Sequence, residues 1–251
     1  MSWIGKMVGG TLGFALGGPV GAILGGVFGH AFDTKEERAL SGGGPTLLSP
    51  EEEAQMTFFV AGFSMLAKLA AVDGRVTEKE MEAVRRFMVQ DLSMTEKNQQ
   101  VAFRIFRQAA ASGNTFDQFA SQFYDRFADK PELLDLMLDI LLRVSLADGH
   151  ISPDEERLIQ SAARIFQYSD AAYSRIKERY VKSSDSVYAV LKCDRNDTDE
   201  QIKKQYRKLV SEFHPDKIAS KGLPDEFTAF AAEKFREIHE AYETIRRERG
   251  F

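Results

Sequence analysis

The sequence predicts an all-α protein, and three observations lead to this fold class. Apolar residues recur at helical spacing through nearly all of residues 51–251. Alternating runs of the kind that form β-strands are nearly absent. Residues 1–32 contain an uncharged stretch long enough for one membrane helix. The predicted order is a single N-terminal transmembrane helix, a helical bundle with an internal duplication, and a C-terminal helical hairpin.

Composition narrows the class of protein. The net charge of -5 over 251 residues argues against a general nucleic-acid coat, so we expect no nucleic-acid partner. Cys193 is the single cysteine, so it has no internal disulfide partner, which fits a reducing compartment for the folded part.

The first element is the predicted membrane anchor. Residues 7–29 carry no charge, and as a helix these roughly 23 residues would span about 34 Å, enough for a hydrocarbon core of about 30 Å. Glycine recurs at every fourth position, and such a ridge lets two membrane helices approach closely. We therefore predict contact with membrane lipid through one helix and a homodimer through its glycine face. That face consists of Gly9, Gly13, Gly17, Gly21, Gly25 and Gly29.

Residues 33–50 are a predicted linker, with a glycine run and two prolines, and residues 51–183 form the next domain. Within that domain "LAKLAAVDGRVTEKEMEAVRRFM" repeats as "LLRVSLADGHISPDEERLIQSAARIF". In each copy an apolar helix ends at an Asp-Gly pair, whose glycine suits a left-handed C-terminal stop. Thr77 and Ser152 then cap the following helix, and Glu80 and Glu155 complete a capping box.

The same turns match the second half of a calcium-binding EF-hand loop. Leu69, Ala71, Val144 and Leu146 stand where the first half needs oxygen ligands, so an ordinary EF-hand is excluded. We predict no metal and no cofactor, and helix capping explains the acids. An ion shared between the turns is the alternative. Its candidate ligands are Asp73, Glu80, Asp148 and Glu155.

The duplication, the "DGRVT" and "DGHIS" turns and the acidic balance of this region resemble the TerB family of tellurite-resistance proteins. The resemblance implies an all-helical domain whose acidic surface binds a partner or an ion. The partner itself is unknown.

Residues 184–251 read as three helical segments, of which "SVYAVLKC" is the first. Thr198 caps the second, with Gln201 as its capping-box partner. The second and third segments carry facing apolar stripes, so they should form an antiparallel hairpin with a tight join. Basic side chains lie off the apolar stripe of the second helix. They are Lys203, Lys204, Arg207 and Lys208.

The join contains "FHPDK". Pro215 keeps His214 out of the α region, so the second helix ends there and the turn is stiff. We expect the imidazole of His214 and the carboxylate of Asp216 to project outward. Because no pocket-forming element or orienting third group accompanies them, we interpret the corner as a recognition surface and predict that the chain is not an enzyme.

"VYAVL", "IKKQYRKLVSEFHPDK" and "KFREIHEAYETI" resemble the J domain of the DnaJ (Hsp40) family in order and spacing. The resemblance implies that His214, Pro215 and Asp216 contact an Hsp70, DnaK in bacteria, and stimulate its ATPase. It also implies that the basic residues of the second helix help to dock it. The loop "IASKGLPDEF" is longer than in most members.

The whole layout resembles the membrane-anchored bacterial co-chaperones of that family, which implies a single pass in the inner membrane, a periplasmic N-terminus and cytoplasmic domains. The join "VKSSD" is shorter than a flexible linker, which suggests rigid coupling of the two domains. The alternative function is a membrane-tethered ion- or stress-sensing adaptor that acts through the acidic TerB-like domain.

Overall fold

The computed structural model describes residues 17–28, 48–147, 149–180 and 186–251. The regular structure in these ranges is helical, and this confirms the predicted fold class. In chain order the α-helices are α1 (Gly18–Phe28), α2 (Pro50–Ala70), α3 (Glu78–Arg86), α4 (Glu96–Ala111), α5 (Phe116–Phe127), α6 (Pro131–Ser145), α7 (Pro153–Ile165), α8 (Asp170–Glu178), α9 (Ser186–Val190), α10 (Asp199–Glu212), α11 (Pro215–Ala219) and α12 (Thr228–Arg249). A π-helical segment, Phe87–Asp91, continues α3, and a 3-10 turn, Asp225–Phe227, leads into α12.

Local sequence signals determine where many of these helices begin. A serine or threonine side chain accepts a hydrogen bond from a backbone N–H in the first turn, which satisfies a donor that would otherwise lack a partner. The capping residues are Ser49, Thr77, Thr95, Thr115, Ser152, Ser169 and Thr198.

Helix α2 is the centre of the bundle. It packs against α4, α5, α6 and α7, and every residue from Met56 to Ala67 is buried. Phe58 meets Phe123 and Phe127 of α5 edge-on, with ring centroids 5.3 and 5.9 Å apart. Aromatic pairs of this kind contribute about 0.5–1.5 kcal/mol each beyond the burial of their area. The core therefore has a large aromatic component.

Helices α10 and α12 run antiparallel, as predicted. Tyr206 stacks on Tyr242 at 3.9 Å between ring centroids, and Asp199 at the start of α10 pairs with Arg249 at the end of α12. The predicted tight join is wrong. Helix α11 and the 3-10 turn lie between the two long helices, because Pro215 also begins a new helix at its first position, where proline is favoured.

The C-terminal hairpin packs directly on the bundle. Phe227 is only 1% exposed, and its ring centroid lies 5.0 Å from that of Phe58 in α2. Phe230 similarly meets Phe87 at 5.7 Å. The loop that is unusually long in the sequence therefore contributes side chains to the bundle core.

This packing buries a carboxyl group whose titration we expect to affect stability. Glu226 accepts a hydrogen bond from the Asn98 side chain at 2.9 Å, and burial raises its pKa. A raised pKa in the folded state means that stability is lost as pH rises above the ordinary glutamate value. Glu226→Gln should therefore melt at a higher temperature than the wild type at pH 8 and at the same temperature near pH 4. The control is Glu240→Gln, an exposed site, and an equal response of the two variants would contradict this prediction.

The structure describes only the second half of the predicted membrane helix. Helix α1 begins at Gly18, which has a φ of +72°, and it packs on α4 and α5. Its buried residues are Val20, Ile23, Leu24, Val27 and Phe28. None of the helices in the described ranges has both the length and the apolar character that a bilayer crossing requires.

The predicted glycine face is described in part. Gly17, which directly precedes α1, and Gly25 of α1 are exposed, with no atom within 4 Å of an added Cβ, and Gly21 of α1 is half-buried. Gly9, Gly13 and Gly29 lie outside the described residues.

Candidate functional site

Helix α10 positions the predicted recognition surface. The Thr198 hydroxyl accepts from the Gln201 amide nitrogen at 3.3 Å, and the Gln201 side chain accepts from the Thr198 amide at 2.7 Å, so the predicted capping box is confirmed. Arg249 closes the open end of the hairpin, donating to the Asp197 carbonyl at 2.7 Å and the Asp199 carboxylate at 3.2 Å. These contacts fix the first turn of α10 against the end of α12.

The corner itself is built on a buried residue. Phe213 is 1% exposed and caps the end of α10, so the next residue must turn outward. His214 has extended geometry (φ -59°, ψ 129°), as expected before proline. Its ring lies edge-on to Phe235 of α12, with centroids 6.0 Å apart, and this contact fixes the direction of the imidazole.

The polar groups of the corner face solvent. The Asp216 side chain is 94% exposed and that of His214 is 48% exposed. The Asp216 backbone N–H donates to His214 Nδ1 at 3.3 Å, which in the neutral ring leaves the proton on Nε2. The corner therefore offers an outward N–H donor and an outward carboxylate at the start of a short helix, an arrangement suited to binding a basic and hydrogen-bonding partner.

The four predicted basic residues lie on α10 but do not form one uniform patch. Lys204, Arg207 and Lys208 are exposed, and Lys208 approaches Glu212 at 3.8 Å. Lys203 is half-buried instead, because its Nζ lies 4.4 Å above the ring of Phe251. The C-terminal aromatic residue thus draws Lys203 toward the open end of the hairpin, where Arg249 also lies.

The structure adds a residue that sequence reasoning missed. Lys217, in α11, donates to the Ser211 hydroxyl of α10 at 2.6 Å, which ties the short helix back to the basic one. It lies directly beside the corner and is exposed. Its place in the "HPDK" run was the available signal.

The repeated turns of the bundle have the predicted caps. Gly74 and Gly149 have φ of +97° and +84°. The Glu80 and Glu155 carboxylates accept from the Thr77 and Ser152 amides at 2.5 and 2.8 Å.

These two carboxylates also line a single cavity of about 420 Å³. Asp148 lies outside the described residues, and Asp73 has an exposed side chain. No cluster of three or more His, Cys, Asp or Glu side chains suited to a metal ion occurs among the residues with described positions.

Comparison with known proteins gives three family matches along the chain. The co-chaperone DjlA transmembrane domain matches residues 1–43, the tellurite resistance protein TerB matches residues 59–178, and the DnaJ domain matches residues 186–249. The chain is 31% identical to the co-chaperone protein DjlA of Coxiella burnetii over 100% of its own length and 99% of that protein. It is 30% identical to DjlA of Photobacterium profundum, covering 98% and 99% of the two chains. No solved structure gives a significant match.

Proposed function

Because the chain belongs to the DjlA family of membrane-anchored J-domain co-chaperones, we propose that its C-terminal hairpin binds cytosolic DnaK and stimulates the ATPase of that Hsp70. The observation that carries the proposal is the exposed corner of His214 and Asp216 on a rigid hairpin, next to the exposed cations of α10. The chain would catalyse no reaction of its own. Catalysis would belong to DnaK.

The direct test is ATP hydrolysis by DnaK with and without the full chain in lipid nanodiscs. Stimulation is the expected result. A chain that binds the nanodisc, is folded by circular dichroism, and leaves the DnaK turnover rate unchanged would contradict the proposal.

The basic face of α10 should act mainly through long-range attraction. Exposed charges speed encounter with an acidic partner, and salt screens them over about 8–10 Å at ordinary ionic strength. Replacing Lys204 and Arg207 together by alanine should lower the association rate with DnaK about tenfold at low salt, with a smaller loss at high salt. Surface plasmon resonance at several salt concentrations measures this effect.

A matched control removes the same charge elsewhere. Arg157 and Arg164 of α7 have side chains 74% and 67% exposed, so their double alanine variant should associate as the wild type does. An equal loss in both variants would mean that net charge, and not the α10 face, controls association.

The anchor would place this activity at a membrane. We propose that residues 1–32 cross the inner membrane once, with the N-terminus in the periplasm and the C-terminal domains in the cytoplasm. Tethering raises the local concentration of the corner near membrane clients without any added affinity. Protease protection of the C-terminal domains in intact spheroplasts tests the orientation, and their digestion there would contradict it.

We also propose a homodimer through the glycine face. It is supported by the every-fourth-residue spacing of Gly9 to Gly29 and by the open space around Gly17, just before α1, and around Gly25 within α1. Gly13→Leu combined with Gly17→Leu should reduce crosslinked dimer in membranes, because large side chains separate the two backbones. Unchanged crosslinking would exclude this face.

A second candidate function is the ion- or stress-sensing adaptor. The observation in its favour is the shared cavity of Glu80 and Glu155, although both carboxylates already serve as caps. Calcium should raise the melting temperature of the wild type but not of Glu80→Gln if the adaptor binds that ion. Equal melting with and without calcium would count against this ion.

A further inference from the structure

The loop between α11 and α12 enters the bundle. The ring centroid of Phe227 lies 6.1 Å from that of Phe59 and 6.2 Å from that of Phe63, in addition to its contact with Phe58. All four rings are buried. An aromatic side chain of the J domain is therefore part of the core of the TerB-like bundle.

The same loop fits closely along α2. Gly222 has φ of +94°, and a Cβ added there would lie 2.6 Å from the Cβ of Ala54, so only glycine allows this approach. The Leu223 carbonyl accepts from the Gln55 side chain at 3.5 Å, and the Lys221 ammonium lies 2.7 Å from the buried carboxylate of Glu132. The loop thus has steric, polar and charged contacts with the bundle.

A buried ionic cluster joins the two domains a second time. Asp135 and Asp139 of α6 have side chains only 1% exposed. Arg179, from the end of the bundle, lies 3.1 Å from Asp139. The J domain supplies the remaining cations, with Lys234 2.8 Å from Asp139 and Lys192 3.1 Å from Asp135.

The cluster explains why two aspartates are buried in α6, whose partners the sequence did not indicate. Burial by itself would raise the pKa of Asp135, but Lys192, Arg179 and Lys234 outweigh it and the pKa is lowered. Two of those three cations belong to the J domain. Separating the domains would leave the two carboxylates with Arg179 as the only one of the three cations, and losing the partner of a buried charge is strongly unfavourable.

From these contacts we infer that the J domain is the partner of the acidic α6 face of the TerB-like bundle, so that the two domains act as one rigid unit which presents the His214 corner in a fixed orientation. The linker of residues 181–185 would then be dispensable for holding them together. The bundle contacts the J domain through Phe227, Phe230 and Lys234, whereas His214, Asp216 and the exposed residues of α10 face solvent. DnaK could therefore bind the corner while the J domain stays packed on the bundle.

The test uses the full chain in nanodiscs with a protease site placed within residues 181–185. After cleavage, the C-terminal fragment should stay with the bundle on gel filtration at micromolar concentration. Release of a folded C-terminal fragment from the otherwise wild-type chain would overturn the inference.

Variants then identify what holds the fragment. Phe227→Ala, or Lys234→Met in a separate variant, should lower the affinity of the cleaved fragment for the bundle about a hundredfold. Each substitution removes a buried group that contacts the bundle. Arg236→Met, an exposed site on α12, is the control and should be retained. Circular dichroism of the released fragment shows whether the J domain has only left the bundle or has also unfolded. Full retention of both variants would also overturn the inference.

This inference deepens the proposed function, and the two can fail separately. Retention after cleavage involves no DnaK. A fragment that stays bound in a chain that does not stimulate DnaK would refute only the proposed function, whereas stimulation by a chain that releases its fragment would refute only the rigid unit.

Discussion

Asp216→Asn should abolish stimulation of the DnaK ATPase while leaving the protein folded. The side chain is 94% exposed, so its replacement removes a charge without disturbing packing. If the carboxylate pairs with a cation of DnaK, losing that pair should cost about 2–5 kcal/mol of binding, which is at least about thirtyfold in affinity. ATP turnover and equilibrium binding, measured with the same preparation, check both parts.

Two comparisons make this result specific. Asp225→Asn makes the same chemical change at another exposed aspartate of the C-terminal domain and should stimulate as the wild type does. His214→Gln should lose stimulation as Asp216→Asn does, because the ring is oriented by Phe235 toward the same side. Normal stimulation by Asp216→Asn would exclude the corner as the binding site.

Arg179→Met should produce the largest loss of stability. The guanidinium is 4% exposed, donates to both oxygens of Asp139 at 3.1 and 3.2 Å, and also approaches Asp135 at 3.7 Å. Removing one member of a buried charge group typically costs about 3–5 kcal/mol, because the remaining charges stay desolvated. Urea unfolding of the full chain should show a lower midpoint by a corresponding amount.

The control for this variant lies about one turn earlier in the chain, in α8. Arg175 is exposed, so Arg175→Met should shift the urea midpoint little. If the two variants unfold alike, the buried cluster contributes no more than a surface charge does. That outcome would also weaken the case for a rigid two-domain unit.

Part of the candidate site could be predicted from the sequence because its signals are local. The caps at Thr77, Ser152 and Thr198 depend on residues three positions apart, and the structure contains all three. The exposure of His214 and Asp216 follows from a proline within one residue of each. Such features do not depend on residues that are distant in the sequence.

The packing of the C-terminal hairpin on the bundle could not be predicted from local sequence. The length of the "IASKGLPDEF" loop is evident from the sequence. Nothing local, however, indicates that Phe227 packs on Phe58, which lies 169 positions earlier in the chain. Asp135 and Asp139 lay on one stripe of an otherwise apolar helix. That spacing is a local signal that these acids are buried, but it does not identify the cations that pair with them.

The sequence by itself determined the helices, their caps, the family resemblance and the exposed corner of His214 and Asp216, because each depends on side chains a few residues apart. The tertiary structure decided which faces are buried: α1 on the bundle, Lys203 over Phe251, and the acids of α6 beneath the J domain. The physical reason is that burial and ion pairing are settled by packing between distant segments, where an aspartate is favourable only if a cation from elsewhere in the chain reaches it.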